Sequence, residues 1–402
     1  MDVKFYRKVL KNGMTIIFEK RDIPVVSVAF AVRHGGVNEA GHEKGISHFI
    51  EHMLYKGTPA RGPKQIAEEI EKNGGDLNGF TDETVTAYYC KIPSKHLDIA
   101  LEVLSDIVKN PLFREEELEK ERKVIFEEMK MYKDDPKRRV LDQIQTSLYE
   151  EPFGISLIGT EKTMKSIDRN KIVKKFKEIY QPNNMVLCVV GDADFKNLVD
   201  FVEKNFSNEK GKISKLQVKK KNEVKTEKRK GIDQANLVFA YHVPLSTNKK
   251  SYAAKILSVL MAGGLSSRLW NEIREKRNLA YAVKGVSNVH RDFAHNLLYV
   301  GTMKEHIEKV KKLILKEYED VSKNLTQKEL DETKEQIIGN YYIDMEDSIL
   351  QMTHLLYFEM NGNAKTFYEF EKEIKKTSLN DVKELAETVK DKNYSFFALV
   401  PE

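Results

Sequence analysis

Cysteine and tryptophan are almost missing from this chain. Cys90, Cys188 and Trp270 are the only representatives of the two types among 402 residues. Two thiols cannot build the disulfide framework of a small secreted domain, and both sit in apolar, strand-like contexts, so they read as small buried hydrophobes. No run of 18 apolar residues exists, which excludes a membrane-spanning helix. The first residues, Met1-Asp2-Val3-Lys4-Phe5-Tyr6-Arg7-Lys8, are charged and lack an apolar segment, so no secretory leader is expected. A reducing, cytoplasmic location follows as an expectation. Gly263-Gly264 has neither a Walker lysine nor a G-x-G-x-x-G pattern, which excludes a phosphate loop there.

Strong charge of one sign is also lacking. The net charge is +5, and it is unevenly placed. Residues 207–231 hold nine lysines and one arginine against three glutamates, a surplus of seven that leaves −2 for the remainder. That stretch reads as a solvated Lys-rich linker. The basic balance therefore reports mainly the linker, and no aromatics interleave with it as a single-strand nucleic-acid binder would need. We expect no nucleic-acid or membrane partner.

What is present is enough apolar residue, 41%, for sizeable cores, in a chain too long for one ordinary domain. In the first half, 14–20 and 25–32 read as strands, 64–72 as a helix and 76–92 as Thr- and Tyr-rich strands. Helices are expected over 96–109, 114–132, 136–150 and 168–179, then a buried strand at 185–190 and a helix over 195–205. The second half repeats the plan. Strand 235–241 is followed by helices 251–261 and 265–277, a strand opening at Tyr281, and helices at 304–322, 327–360 (with a break near Asp347), 366–374 and 380–389. A closing strand, 393–400, mirrors 184–190. Two halves with the same order of elements imply a duplicated α+β domain, mostly antiparallel sheets packed with helices. The expected boundaries are 1–206, the linker 207–231, and 232–402.

One helical turn stands out: His48-Phe49-Ile50-Glu51-His52, an H-x-x-E-H pattern. Residues four apart share a helix face, so His48 and His52 can aim at one point, with Glu51 beside them. Two neutral imidazoles suit a zinc ion, which acidifies water, and a neighbouring carboxylate can take the proton. The same five residues also fit an amphipathic helix whose stripe is Ile46, Phe49, Ile50, Met53 and Leu54. A catalytic zinc would need a third protein ligand. In 114–132, Leu118, Glu121, Val124, Ile125, Glu128 and Tyr132 fall on one face, whereas Glu127 lies about a hundred degrees away. A carboxylate on an apolar stripe calls for a cation, so Glu128 is the expected third ligand and Glu121 a supporting carboxylate. The alternative places both at the wet rim of the stripe. A polar, threonine-rich strand within 76–92 reads as a sheet edge, which either pairs with an extended peptide or binds nothing.

These residues resemble one family over nearly the whole chain: the pitrilysin-type, inverted-zincin metallopeptidases, which include insulin-degrading enzyme and the mitochondrial processing peptidase. The resemblance rests on three stretches. They are His48-Phe-Ile-Glu51-His52 with Met-Leu-Tyr-Lys-Gly-Thr after it, Glu121-Arg-Lys-Val-Ile-Phe-Glu-Glu128, and Ser266-Ser267-Arg268-Leu269 leading to Arg274 and Tyr281. It implies His48, His52 and Glu128 as ligands of one Zn2+ per chain, Glu51 as general base and Glu121 as an assisting carboxylate. It implies Arg274 and Tyr281 as substrate-contacting residues; alone they would read as a surface arginine and a packed aromatic. Substrate pairing along Asn78, Gly79, Phe80 and Thr81 is implied too, with Gly79 where an alanine is usual. The implied activity is hydrolysis of unfolded or short peptides in a clamshell chamber. The implied assembly is a homodimer in which Arg274 and Tyr281 of one subunit complete the other's site. The alternative is a non-catalytic binding or assembly subunit of the same fold.

Overall fold

The computed structural model describes residues 3–215, 217–390 and 392–402. Positions 1 and 2 of the charged start and position 216 of the expected linker lie outside them. Eleven strands form two sheets among the described residues. In the first, β1 (Phe5–Val9), β2 (Thr15–Lys20), β3 (Val25–Val32), β4 (Asp76–Thr81), β5 (Thr86–Pro93) and β6 (Met185–Gly191) lie in the order β1-β2-β6-β3-β5-β4. In the second, β7 (Val224–Arg229), β8 (Ala235–His242), β9 (Ala280–Val289), β10 (Ala294–Thr302) and β11 (Ser395–Pro401) lie in the order β7-β11-β8-β10-β9.

The duplication is explicit in these orders. The sequence β2-β6-β3-β5-β4 matches β7-β11-β8-β10-β9 position by position. The one parallel pair falls at the same place in each, β2 with β6 and β7 with β11. All other pairs are antiparallel. The α+β reading with two homologous, mostly antiparallel sheets is therefore the observed fold.

Packing divides the chain differently from chain order. One compact unit comprises Met1–Glu127, Leu157–Leu216 and Ile343–Phe367; the other comprises Glu128–Ser156, Gln217–Tyr342 and Tyr368–Glu402. Each sheet thus receives a helix from the opposite half. The reason lies in the central strands. β3, Val-Val-Ser-Val-Ala-Phe-Ala-Val, is buried from its second residue on, and all of β6 is buried. A strand apolar on both faces needs two covers. The first is the helix Leu97–Lys109, on β3 and β5; the second is the helix Ser348–Met360, on β6 and β3. Reciprocally, the helix Pro136–Leu148 packs on β8 and β11 in the other unit.

Polar pins fix the helix Ser348–Met360. Ser27 Oγ meets Ser348 Oγ at 2.8 Å, and Gln351 donates to Glu19 at 2.5 Å. At its end Glu359, 1% exposed, accepts from Arg7 at 2.7 Å and Arg33 at 2.8 Å. Asp347 caps the helix through the amides of Ile349 and Leu350, which is why the long helical pattern breaks there. In the second unit Leu237, Phe239, Tyr241, Leu257, Ile314 and Leu385 are among the residues of one core.

The structure adds two strands to the sequence reading and corrects two of its elements. Residues Phe5–Val9 form β1, anchored by Tyr6 stacking on Phe18 (5.7 Å) and Phe195 (5.0 Å). The Lys-rich linker contains β7, an edge strand whose charged side chains stay wet while its backbone pairs with β11. Strand β10 went unread because His295 and Asn296 interrupt its apolar run; Asn296 is buried with donors satisfied by Tyr241 (3.0 Å) and the Ala254 carbonyl (2.8 Å). The helix expected over 265–277 is shorter and wound differently: residues 268–269 are α-helical and Trp270–Glu275 is π-wound. At its start Asn271 donates to the Ser267 carbonyl from its amide, at 3.1 Å, and from Nδ2, also at 3.1 Å.

The Glu359 clasp gives a pH-dependent test. Burial alone would raise its pKa, but hydrogen bonds from Arg7, the Ala364 amide and Arg33 outweigh burial and hold it below the ordinary 4.5. A depressed folded-state value stabilises the fold fully above about pH 4.5, and that contribution is lost as pH falls through the folded value. Glu359→Gln should cost about 2 kcal/mol at pH 7. In denaturant melts, the gap between the variant and wild type should narrow as pH drops below 4.5.

Candidate metal centre

The motif lies on the helix α1 (Ile46–Leu54), and the supporting carboxylates lie on a long helix, Glu115–Asp134. Why α1 starts where it does is a matter of one buried carboxylate. Glu39, fully buried, accepts from the Gly45 amide at 2.9 Å and the Ser47 amide at 2.8 Å. These are orphan donors at the helix start, where the helix dipole favours a negative charge. Gly45 itself has φ +91°, and a Cβ there would meet the Ile158 carbonyl oxygen at 2.7 Å.

With that start fixed, His48 and His52 stand one turn apart, their Nε2 atoms 3.3 Å from each other. Suitable atoms of His48, His52 and Glu128 all lie within 4.8 Å of one another. Among the described residues no other group of three or more His, Cys, Asp or Glu converges in this way. Two imidazole nitrogens on a tetrahedral zinc, each at about 2.0–2.1 Å, stand about 3.3–3.4 Å apart, so the pair fits such an ion. The second coordination layer is also built. His52 Nδ1 meets Glu121 Oε2 at 3.1 Å, which turns its Nε2 toward His48 Nε2. Glu121's other oxygen pairs with Lys56 Nζ at 2.8 Å. Burial would raise the Glu121 pKa, yet the hydrogen bonds from His52 and Lys56 hold it below the usual carboxylate value. His48 is pushed down to about 3 by burial and by His52 beside it, so its imidazole is neutral, the form a metal requires.

The helix arithmetic for Glu115–Asp134 holds at the residues that matter. Leu118, Glu121 and Ile125 are buried, Glu128 is half-buried and hydrogen-bonded to Tyr132, and Glu127 is exposed. Val124, expected on the same stripe, is instead 48% exposed, because it sits at the stripe's rim.

Glu51 lies against the edge of the sheet. Thr81 on β4 donates to Glu51 Oε2 at 2.8 Å. The residues expected to line a peptide, Asn78 to Thr81, all belong to β4, the terminal strand of the first sheet. Gly79 has a steric reason: a Cβ there would come within 2.3 Å of the Tyr55 hydroxyl and 3.4 Å of Glu51 Oε1. The glycine therefore makes room for the tyrosine of α1's exit.

In the other unit, Arg274 lies on the π-wound segment, with its side chain 41% exposed. Tyr281, 45% exposed on β9, lies flat over Gly301, where a Cβ would meet its ring at 2.5 Å. It shares a hydrogen bond with Tyr299, whose hydroxyl donates to Asn236 at 2.6 Å.

Two supporting residues were not read from sequence. Lys56 is four residues after His52, and that spacing was a usable signal for a shared carboxylate. Glu39 lies in an irregular loop, where no periodicity marks a capping role.

Comparison with known proteins agrees with this geometry. Residues 15–161 match the family model Insulinase (Peptidase family M16), and residues 166–337 match Peptidase M16 inactive domain. The chain belongs to peptidase family M16. An uncharacterized zinc protease of Bacillus subtilis is 30% identical over 98% of this M16 chain and 98% of its own length. One from Rickettsia felis is 31% identical over 84% of this chain and 83% of its own. Among solved structures, a protease from Helicobacter pylori aligns with a TM-score of 0.91 at 22% identity, covering 99% of this chain and all of that one. A chain from the Candida albicans complex III2 shares the fold at TM-score 0.87 and 17% identity, covering 98% of this chain and 95% of that chain. Among the described residues of this M16 chain, no helix is long and apolar enough to cross a membrane.

Because Glu121 fixes His52, Glu121→Gln should weaken zinc binding about 10–100-fold, measured by competition with a zinc-sensitive dye. The fold should be retained.

Proposed function

We propose that this chain is a zinc-dependent endopeptidase acting on unfolded or short peptides. The observation that carries the reading is the convergence of His48, His52 and Glu128 beside a carboxylate, Glu51, that is hydrogen-bonded to the sheet's edge strand. His48, His52 and Glu128 would hold one Zn2+, which supplies Lewis acidity toward the scissile carbonyl and lowers the pKa of water.

The rest is the work of the chain. An extended peptide adds to β4 as a further strand, so main-chain hydrogen bonds place it regardless of side chain. Thr81 holds one oxygen of Glu51, turning the other toward the cleavage point. Glu51 takes the proton of the attacking water and returns it to the leaving amine nitrogen. Arg274 and Tyr281 donate to peptide carbonyls and stabilise the negative charge that develops on oxygen. The unpaired, buried Cys90 and Cys188 fit a reducing compartment, and we place the enzyme in the cytoplasm.

Glu51→Gln, loaded with zinc, should lose cleavage of an unstructured peptide mixture by at least about 1000-fold while binding metal normally. Activity equal to wild type would remove α1 from the chemistry. A wild type that binds zinc and peptide without cutting would favour the binding-subunit reading.

We further propose a homodimer in which Arg274 and Tyr281 of one subunit serve the zinc site of the other. Both parts of the machinery are present in one sequence, which suits an assembly of identical chains. Mixing Glu51→Gln subunits with Tyr281→Phe subunits should restore up to about a quarter of wild-type activity per chain, since only one pairing is intact. No recovery after subunit exchange would rule out sharing.

A further inference from the structure

We propose that Trp270, the chain's single tryptophan, is the positioning residue that holds Arg274 ready for a peptide carbonyl; this rests on the reading of Arg274 given above. The guanidinium carbon of Arg274 lies 4.3 Å from the centroid of the Trp270 ring, well within cation–π range. The ring is itself pinned, because indole Nε1 donates to Glu275 Oε1 at 3.0 Å. The same Glu275 carboxylate stands 3.8 Å from Arg274 Nη1. Leu269 and Ile273, both fully buried, root the segment in the core, and Trp270 packs against that core.

The winding matters here. Lys276 N bonds back five residues to Asn271 O at 2.9 Å, the π-type spacing. Single π turns interrupt regular helix, and they recur where a side chain must be aimed. A long side chain such as arginine loses rotamer freedom when it engages a substrate. An aromatic shelf under the guanidinium removes part of that loss in advance, since the arm is already held over the ring. The planar guanidinium keeps its donors free in the ring plane, so stacking and hydrogen bonding to a carbonyl are compatible. A lysine could not combine the two in this way.

The single indole makes the inference directly observable. In a Glu51→Gln background, titration with a tryptophan-free, unstructured peptide should shift Trp270 emission, and adding Arg274→Ala should abolish the shift while the peptide still binds. In the otherwise wild-type enzyme, Trp270→Leu should lower kcat/KM about tenfold. Trp270→Phe, which keeps an aromatic shelf, should stay within about threefold of wild type. Equal kcat/KM for Trp270→Leu and wild type, with Arg274→Ala inactive, would overturn the positioning role and leave the Arg274 reading standing. Full activity in Arg274→Ala would remove both. Should Trp270→Leu fail to fold, the emission titration decides alone: no shift on peptide binding counts against the proposal.

Discussion

The central strands of both sheets are apolar on both faces, and each sheet must therefore find a cover for each side. One cover comes from helices of the same half. The other comes from far along the chain: Ser348–Met360 for β3 and β6, Pro136–Leu148 for β8 and β11. The exchange is reciprocal because the two halves share a strand order, so the third helix after each edge hairpin meets an equivalent need. Small and polar residues on the receiving face, Ser27, Glu19 and Cys188, let the helix approach and be pinned. Cys188 donates its thiol to the Met352 carbonyl at 3.7 Å. A buried cysteine used in this way is a packing residue rather than a reactive one, and burial raises its pKa.

The candidate metal centre depends on a chain of oriented charges more than on the three side chains that could hold an ion. Glu39 sets the register of α1 by capping its first amides. That register sends His48 and His52 to one side and Glu51 toward β4. Glu121 then divides its two oxygens between His52 and Lys56, which fixes the imidazole and keeps the carboxylate ionised despite burial. Each link is short and local. The converging side chains stand on helices and a strand, and the loop residue Glu39 caps the first of those helices.

Much of this was legible in the sequence, for physical reasons that differ by element. The period-3.6 stripe on Glu115–Asp134 separated Glu128 from Glu127, because helix geometry is regular enough to resolve a hundred degrees. The apolar runs of β2, β3, β6, β8 and β11 announced buried strands. The break at Asp347 was visible because a capping residue has a recognisable side chain. What stayed illegible depended on partners distant in sequence. β7 has no apolar face, and only its pairing with β11 makes it a strand. β10 hides its polar pair, His295 and Asn296, by hydrogen bonds to residues that no local window contains. A helix around Trp270 was legible in outline, but its π winding over Trp270–Glu275 has no compositional mark. The roles proposed for Arg274 and Tyr281 rest on resemblance, since neither residue has a periodic or compositional mark.

The reciprocal helix exchange also has a consequence for how the protein is made. The first sheet is encoded by residue 191, but one face has no cover until residues 343–367 have been synthesised. During translation that sheet must leave the ribosome with an apolar face open for more than a hundred and fifty further residues. Neither half carries both of the covers its own sheet needs, so a nascent or truncated chain ending near the Lys-rich stretch is a natural client for holding chaperones rather than a folded intermediate.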